Sequence, residues 1–454
     1  MLTPCYTPGL MADVRPFRGL RFAPSAAPDL GAVLCPPYDV IDASDDRRLR
    51  ERHPYNVVRL ELTTASVAGG PAGRYDEAAG TLRAWRDAGV LVRDDAPAYY
   101  LHEATFTLAE GQATRREIVA AVGLEPWDRG AVLPHERTFP RAKADRLRLL
   151  AATETNLSPI LVFFQRDRAA TDNQTDAVDA AWAWSAHRAP DAAGTDAEGV
   201  GHRLWVLSEP DLVEGLRAYF ADRPLFIADG HHRYETALNY LEDRNQQAGG
   251  DLPPEHPARF VMMHLIADDD PGLVILPLHR LVSGVPADSA TALVEQLRGD
   301  FEIDERQNRS ADAFASALAE LRERGGRGQA VVLLPTGGDP LYVLSRSSAA
   351  PLAAIPADRD VSWRSLDVVL VDTAIVQPLL ASQLLHAEDA IGYTRDADDA
   401  VHQVRSGAAD LAVLVNPTRV EQVAAVALAG ERMPEKSTYF YPKAPTGLVL
   451  RPLE

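Results

Sequence analysis

Residues 225–241 constrain this chain more than any other stretch, because an apolar run, a glycine and a helical repeat follow one another directly. The run Leu225-Phe-Ile-Ala228 reads as a short buried strand, and Tyr234, Leu238 and Leu241 then recur at helical spacing. Asp229, Gly230, His231, His232 and Arg233 therefore fall where strand turns into helix. Gly230 permits a tight turn, the first N–H groups of a helix lack intrahelical partners, and Arg233 adds a planar fork of donors, so the junction suits an anion. Asp229, His231, His232 and Glu235 place titratable groups beside it. Singly, each residue has an ordinary structural use: Asp caps helices, and a first-turn His or Arg is commonly solvated. His231 and Glu235, four apart, share a helix face that a metal could use, but no HExxH or CxxC motif accompanies them.

With 454 residues the chain is long enough for two or three domains, each with its own core. A net charge of -19 and a pI near 5.1 argue against a nucleic-acid coat and against an anionic membrane surface. No apolar run approaches the ~20 residues needed to span a bilayer. Cys5 and Cys35 are too few for a disulfide framework or a cysteine metal cluster, and a cytoplasmic location is expected. Residues 1–14, rich in proline, are expected to form a flexible extension.

Further on, Ala32–Cys35 reads as a buried strand ended by Pro36 and Pro37, which presents Tyr38 and Asp39 at a strand end. Such ends carry sites in α/β folds, although Asp39 is equally placed to cap the following helix. The stretch His53–Leu62 alternates Val58, Leu60 and Leu62 with Arg59 and Glu61, predicting a two-faced strand whose Arg59 and Glu61 form an ion pair or line a cleft, with a solvated face the expected place of Glu61. Asn56, at its start, joins Tyr38 and Asp39 as a candidate substrate contact.

A second chemically dense stretch follows. From His135 to Arg148 there are five basic residues (Arg137, Arg141, Lys143, Arg146, Arg148) against Glu136 and Asp145. A local reversal of charge in so acidic a protein points to an anionic ligand, the alternative being a solvated helix face. Glu136 is placed to act as general base, while Lys143 and Arg146 neutralise a phosphoryl group. Residues 166–203 read as an exposed insertion within a first domain of residues 15–284. Regular helices and strands then predict an α/β domain over residues 285–454. Its loop 433–447 is either a clasp or a cover for a cleft, with Lys436, Ser437 and Lys443 touching ligand.

The motifs Pro36-Pro-Tyr-Asp-Val-Ile, Pro54-Tyr-Asn-Val-Val-Arg-Leu, His135-Glu-Arg-Thr, Ala228-Asp-Gly-His-His-Arg-Tyr-Glu-Thr-Ala, Leu276-Pro-Leu-His-Arg and Met433-Pro-Glu-Lys-Ser-Thr-Tyr-Phe-Tyr-Pro-Lys together resemble the domain of unknown function 1015 family. More distantly, Asp229-Gly-His-His-Arg233 resembles the Asp-Gly-His-Thr-Arg box of free serine kinases and the Gly-x-x-Arg box of the ParB and sulfiredoxin superfamily. That resemblance implies an α/β (α+β) fold with a ParB/sulfiredoxin-like N-terminal region and a mixed sheet, and a box whose Gly230, His232 and Arg233 hold nucleotide phosphates. His232 stands where the kinases have Thr.

Together these readings lead to an expected phosphoryl-transfer enzyme, of kinase or phosphatase type, acting on a small hydroxylated metabolite such as serine or phosphoserine. Asp229, His231 and Glu136 are its catalytic candidates. Mg²⁺ and a nucleotide, ATP or ADP, are the expected cofactors, and a homodimer is compatible with the sequence. Two other readings stay open: a nucleotide-binding switch without turnover, and a metal-dependent hydrolase built on His135, His231 and His232.

Overall fold

The computed structural model describes residues 12–63, 70–138, 140–166, 176–346, 352–383, 386 and 390–454. The chain divides into two compact units. The first comprises residues up to Pro134, Thr138–Val274 and Pro442–Glu454; the second comprises His135–Arg137 and Ile275–Tyr441.

In the first unit the strands are β1 (Val14–Arg15), β2 (Leu20–Phe22), β3 (Leu91–Arg93), β4 (Tyr99–Leu108), β5 (Gly111–Gly123), β6 (Val132–Leu133), β7 (Thr155–Asn156), β8 (Ile160–Phe164), β9 (Ala192–Thr195), β10 (Gly201–Leu207), β11 (Leu225–Asp229) and β12 (Phe260–Ala267). Its helices of four residues or more are α1 (Ala43–Arg52), α2 (Val58–Glu61), α3 (Gly70–Asp87), α4 (Pro140–Thr153), α5 (Ala177–Ser185), α6 (Pro210–Phe220) and α7 (His231–Ala248). Among the described residues a nine-stranded sheet runs β6-β11-β8-β12-β5-β4-β10-β9, with β1 also on β5. It is mixed: β11 is parallel to β6 and antiparallel to β8, and β12 is parallel to β8 and antiparallel to β5.

Both faces of the sheet are covered, which is why β8 reads as a continuous apolar run and β12 as one broken only by His264. One face packs Leu101, Ile118, Val162 and Ile227 against α5, α6 and α7 through Val178, Phe220 and Tyr234. The other packs Tyr100, Val119, Leu204 and Met262 with Val58, Leu82, Trp85 and the C-terminal Leu448–Leu450. The fold is thus mixed α/β, with a large mixed sheet as expected.

Three local expectations change. Residues 58–61 form a helical turn, not a strand. The Asn56 side chain accepts from Val58 N (3.0 Å) and donates to the Ala32 and Leu34 carbonyls (3.0 and 2.8 Å), so it starts a turn that buries Val57, Val58 and Leu60 together. Tertiary packing here overrides an alternating pattern. Val33–Cys35 is buried but makes a single bridge, Cys35 to Thr446, after a 3-10 turn at Leu30–Ala32. The stretch 166–203 carries α5 where its sequence has a short helical run near Ala177–Trp184, and beyond it the unexpected strand β9 at the sheet edge; its residues 167–175 lie outside the described residues. So do residues 1–11, while Ala12 and Val14 are buried.

In the second unit an antiparallel sheet orders Glu302–Arg306, Leu341–Arg346, Gln329–Pro335, Leu411–Val415, His279–Val282 and Ile391–Thr394. Leu281, Val332, Leu334, Val343 and Leu414 supply its core with Phe314 and Leu321 of a helix. Asp367 sits beneath this sheet, accepting from Ala330 N (3.3 Å) and Asn416 Nδ2 (3.2 Å), and burial pushes its carboxyl up to about 6. The raised value means the folded state favours the protonated acid. Its stabilising contribution is full below the unfolded pKa near ~3.9 and is lost as pH rises through about 6. Asp367→Asn is expected to flatten the pH dependence of second-unit stability between these values, a difference of about 3 kcal/mol, read by urea unfolding at pH 4 and 7.

Among the described residues no helix is long and apolar enough to cross a membrane.

Candidate functional site

Strand β11 ends on Asp229, and Gly230 swings the chain into α7. Gly230 has φ 96°, in the left-handed region, and a Cβ there would lie 3.0 Å from Arg233 Nε and 3.1 Å from Arg233 Cζ. The glycine therefore serves twice, by making the turn and by letting Arg233 fold back over it. Gly230→Ala is expected to cost about 1–3 kcal/mol and to displace the Arg233 guanidinium, read as a lower melting temperature together with weakened phosphate binding.

Arg233 and Lys443 both converge on Asp229. Arg233 donates to Asp229 Oδ2 and to the Pro159 carbonyl, and Lys443 donates to Asp229 Oδ1. All three side chains are buried to a similar degree, with 11–13% exposure. Burial by itself would raise the Asp229 carboxyl; Lys443 and Arg233 outweigh it and hold the group well below the usual carboxylate range. His231, buried at the start of α7, adds to that field.

A second cluster adjoins the first. Arg146 of α4 donates to Glu61 Oε2 (2.8 Å) and Asp145 Oδ2 (2.5 Å), and its guanidinium lies 4.1 Å from the centre of the Tyr38 ring. Ser158 donates to Glu61 and lies 2.9 Å from Thr446 Oγ1. Burial, and secondarily Asp39, push the Tyr38 hydroxyl up, while Arg233 and Arg146 pull it down. The two clusters share a cavity of about 60 Å³ lined by Tyr38, Glu61, Arg146, Ser158, Arg233 and Thr236.

Arg146, Arg233 and Glu61 thus line one small opening, while Asp145, Asp229 and Lys443 belong to the two guanidiniums' clusters outside its lining. Two guanidiniums present planar donor forks whose partners are carboxylate and carbonyl oxygens.

The sequence-derived candidates separate accordingly. Arg146 and Arg233 come together, with Gly230 and Asp229 beside them and Tyr38 on the wall. His232 is half-buried in the first turn of α7. Asp39 is exposed and does not line the cavity, and neither does Asn56, whose amide is committed to the Ala32 and Leu34 carbonyls. Lys143 lies in α4, but its side chain is outside the described residues. Glu136, Lys436 and Ser437 belong to the second unit. There Glu136 Oε1 is 3.9 Å from His135 Nε2, Lys436 is exposed with φ 56°, and the Ser437 hydroxyl donates to the Pro434 carbonyl (2.6 Å). For His135, Nε2 is 3.1 Å from the Thr438 hydroxyl.

One residue of the cluster was misplaced by the sequence reading. Glu61, expected on a solvated face, is 4% exposed, because the turn at 58–61 carries it inward. Lys443, a candidate ligand contact of loop 433–447, reaches Asp229, 214 residues away in the chain, a pairing that no local signal announces.

A fold of this class, a mixed sheet with a cationic cluster where β11 becomes α7, fits the family that the motifs suggest. The model of the family described as protein of unknown function (DUF1015) matches residues 14–369, and the chain belongs to that family. Curated proteins include no match to the sequence. Among solved structures the chain is similar to free serine kinase in complex with AMP, at 10% identity over 71% of this chain and 86% of that one, with a TM-score of 0.34. It is also similar to a conserved hypothetical protein from Pyrococcus furiosus (12% identity, 71% and 89% covered, TM-score 0.32) and to SbnI with C-terminal truncation from Staphylococcus aureus (12%, 74% and 87%, TM-score 0.32).

Proposed function

We propose that this protein is a phosphoryl-transfer enzyme, of kinase or phosphatase type, acting on a small hydroxylated metabolite such as serine or phosphoserine, with ATP or ADP as the phosphoryl partner. The observation that carries this is the convergence of Arg146 and Arg233 on one cavity at the start of α7, with Lys443 beside them. A phosphoryl group entering there exchanges the carboxylate and carbonyl partners of the two guanidiniums for its own oxygens, and the helix start adds its partial positive charge.

Catalysis by such a site rests on position and charge. The substrate hydroxyl oxygen forms its bond to phosphorus as the bond to the leaving oxygen breaks, and three cations neutralise the charge that spreads over the equatorial oxygens. His231, buried beside Asp229, takes the hydroxyl proton in this scheme when its imidazole is neutral, and adds to the field on Asp229 once it is protonated. The cavity, at about 60 Å³, is far below the ~300–1,000 Å³ of pockets that enclose whole ligands, so it admits the phosphoryl group and leaves the nucleoside outside.

Mg²⁺ does not fit Asp229 as a ligand, since both carboxylate oxygens face cations. The ion enters only as the companion of the nucleotide phosphates, and no step above depends on it.

Full-length protein incubated with ATP and serine, or with ADP and phosphoserine, each with Mg²⁺, is expected to transfer phosphate; phosphoserine alone tests the hydrolytic variant. No turnover in any of the three, with the protein folded, overturns the proposal.

A further inference from the structure

Strands β4, β5, β10 and β12 carry a second set of titratable groups whose chemistry differs from the Arg and Lys cluster. His102 pairs directly with Glu117 across β4 and β5; Leu204, two residues after His202, pairs with His102, and His264 pairs with Val119, two residues after Glu117. Strand side chains alternate between faces, so His102, His202, Glu117 and His264 all point to the face that carries Tyr100, Val119, Leu204 and Met262. None is more than 2% exposed. Burying four such groups side by side is not what sheet packing requires, because apolar residues of similar volume serve at least as well there.

The contacts are close. His102 Nδ1 lies 2.8 Å and His264 Nδ1 2.5 Å from the same oxygen, Glu117 Oε2. The three donor atoms lie within 4.8 Å of one another. Behind them, His102 Nε2 is 3.0 Å from His202 Nδ1, and His202 Nε2 is 3.0 Å from Asp196 Oδ2. The other carboxylate oxygen, Glu117 Oε1, faces Arg115 Nε at 2.6 Å, which leaves Oε2 to the two imidazoles.

We infer that His102, Glu117 and His264 form a binding site for a divalent first-row transition ion of the zinc or cobalt type. Two imidazoles and one carboxylate are the donor set such ions take, and three protein ligands are the number found in sites that keep a position open. Donors on one tetrahedral ion, with bonds of about 2.0–2.1 Å, sit about 3.3 Å apart. The present spacings of 2.5 and 2.8 Å therefore need shifts of less than about 1 Å. The outer contacts fit the same occupant. With the ion on Nδ1, His102 keeps its proton on Nε2 and donates it to His202 Nδ1, and His202 donates from Nε2 to Asp196. Metal-bound imidazoles are oriented by second partners of this kind.

Such an ion would tie β4, β5 and β12 together. It would also bear on the Asp229 cluster, because Arg115, which faces Glu117, donates to the Pro442 carbonyl (2.6 Å), next to Lys443. The site does not depend on phosphoryl transfer, and its test uses no activity readout.

Full-length protein, stripped with a chelator and given cobalt or zinc, is expected to hold one ion per chain by elemental analysis and to show visible cobalt absorption. His264→Ala and Glu117→Gln are expected to abolish that uptake, and the outer-partner variant His202→Gln to weaken it by about 10–100-fold. His187→Ala, at an exposed position, serves as the control and leaves uptake unchanged. Circular dichroism reports whether each variant folds; if the ligand variants do not, the wild-type stoichiometry and His202→Gln still decide. Folded wild-type protein that takes up neither ion, or uptake unaffected by all three site substitutions, overturns the inference.

Discussion

Asp229→Ala is expected to destabilise the first unit by about 3–5 kcal/mol, because it strips two buried cations of their shared carboxylate. Removing one member of a buried charge cluster costs far more than the cluster's net contribution, since the partners keep their desolvation penalty without the attraction that offset it. Lys443 suffers most, as Asp229 holds its ammonium in an ion pair, whereas Arg233 keeps the Pro159 carbonyl. Adding Lys443→Met to Asp229→Ala should therefore recover part of the loss. A double-mutant cycle in urea gives the coupling directly. Strictly additive losses would mean that Asp229 and Lys443 do not depend on each other. Acid should imitate the substitution in part. The folded carboxyl is held below its unfolded pKa, so this stabilisation is present above ~4 and fades as pH falls below that value.

Arg233→Ala is the substitution with the largest expected effect on chemistry, a loss of about 10²–10³-fold in phosphoryl transfer. The guanidinium lines the cavity, sits at the positive end of α7 and presents two donor nitrogens on one plane. Arg233→Lys separates charge from geometry: it keeps the cation but loses the fork, and should recover only part of the rate. Steady-state rates with saturating and limiting nucleotide show whether the loss falls on kcat or on KM. If Arg233→Ala leaves both unchanged while Arg146→Ala abolishes transfer, the phosphate lies on the α4 side alone.

The strand-to-helix junction was legible because its signals are local. Leu225–Ala228 is apolar on both faces since β11 lies between β6 and β8, and Gly230 marks the left-handed turn. The basic helix was legible for the same reason, and Arg146 does reach the cavity that Arg233 lines. Residues 58–61 were misread because their alternation imitates a strand, while the hydrogen bonds that force a turn come from Asn56 to backbone more than twenty residues away. Glu61 was misplaced with them, and a buried acceptor for Arg146 was taken for a surface charge.

His102, Glu117, His202 and His264 show the opposite limit. Each stands alone in an ordinary strand, at spacings of 15, 100 and 147 residues along their contacts, and no linear motif joins them. Strand register brings them to one face.

By itself, then, the sequence determined the element types where periodicity is strong, the turn at Gly230 and the family, because these depend on neighbours in the chain. Only the tertiary structure decided which charges meet. Lys443 on Asp229, Arg146 on Glu61 and two histidines on Glu117 are pairings set by sheet order and by the return of the C-terminal segment to the first unit, and chain distance carries no record of either.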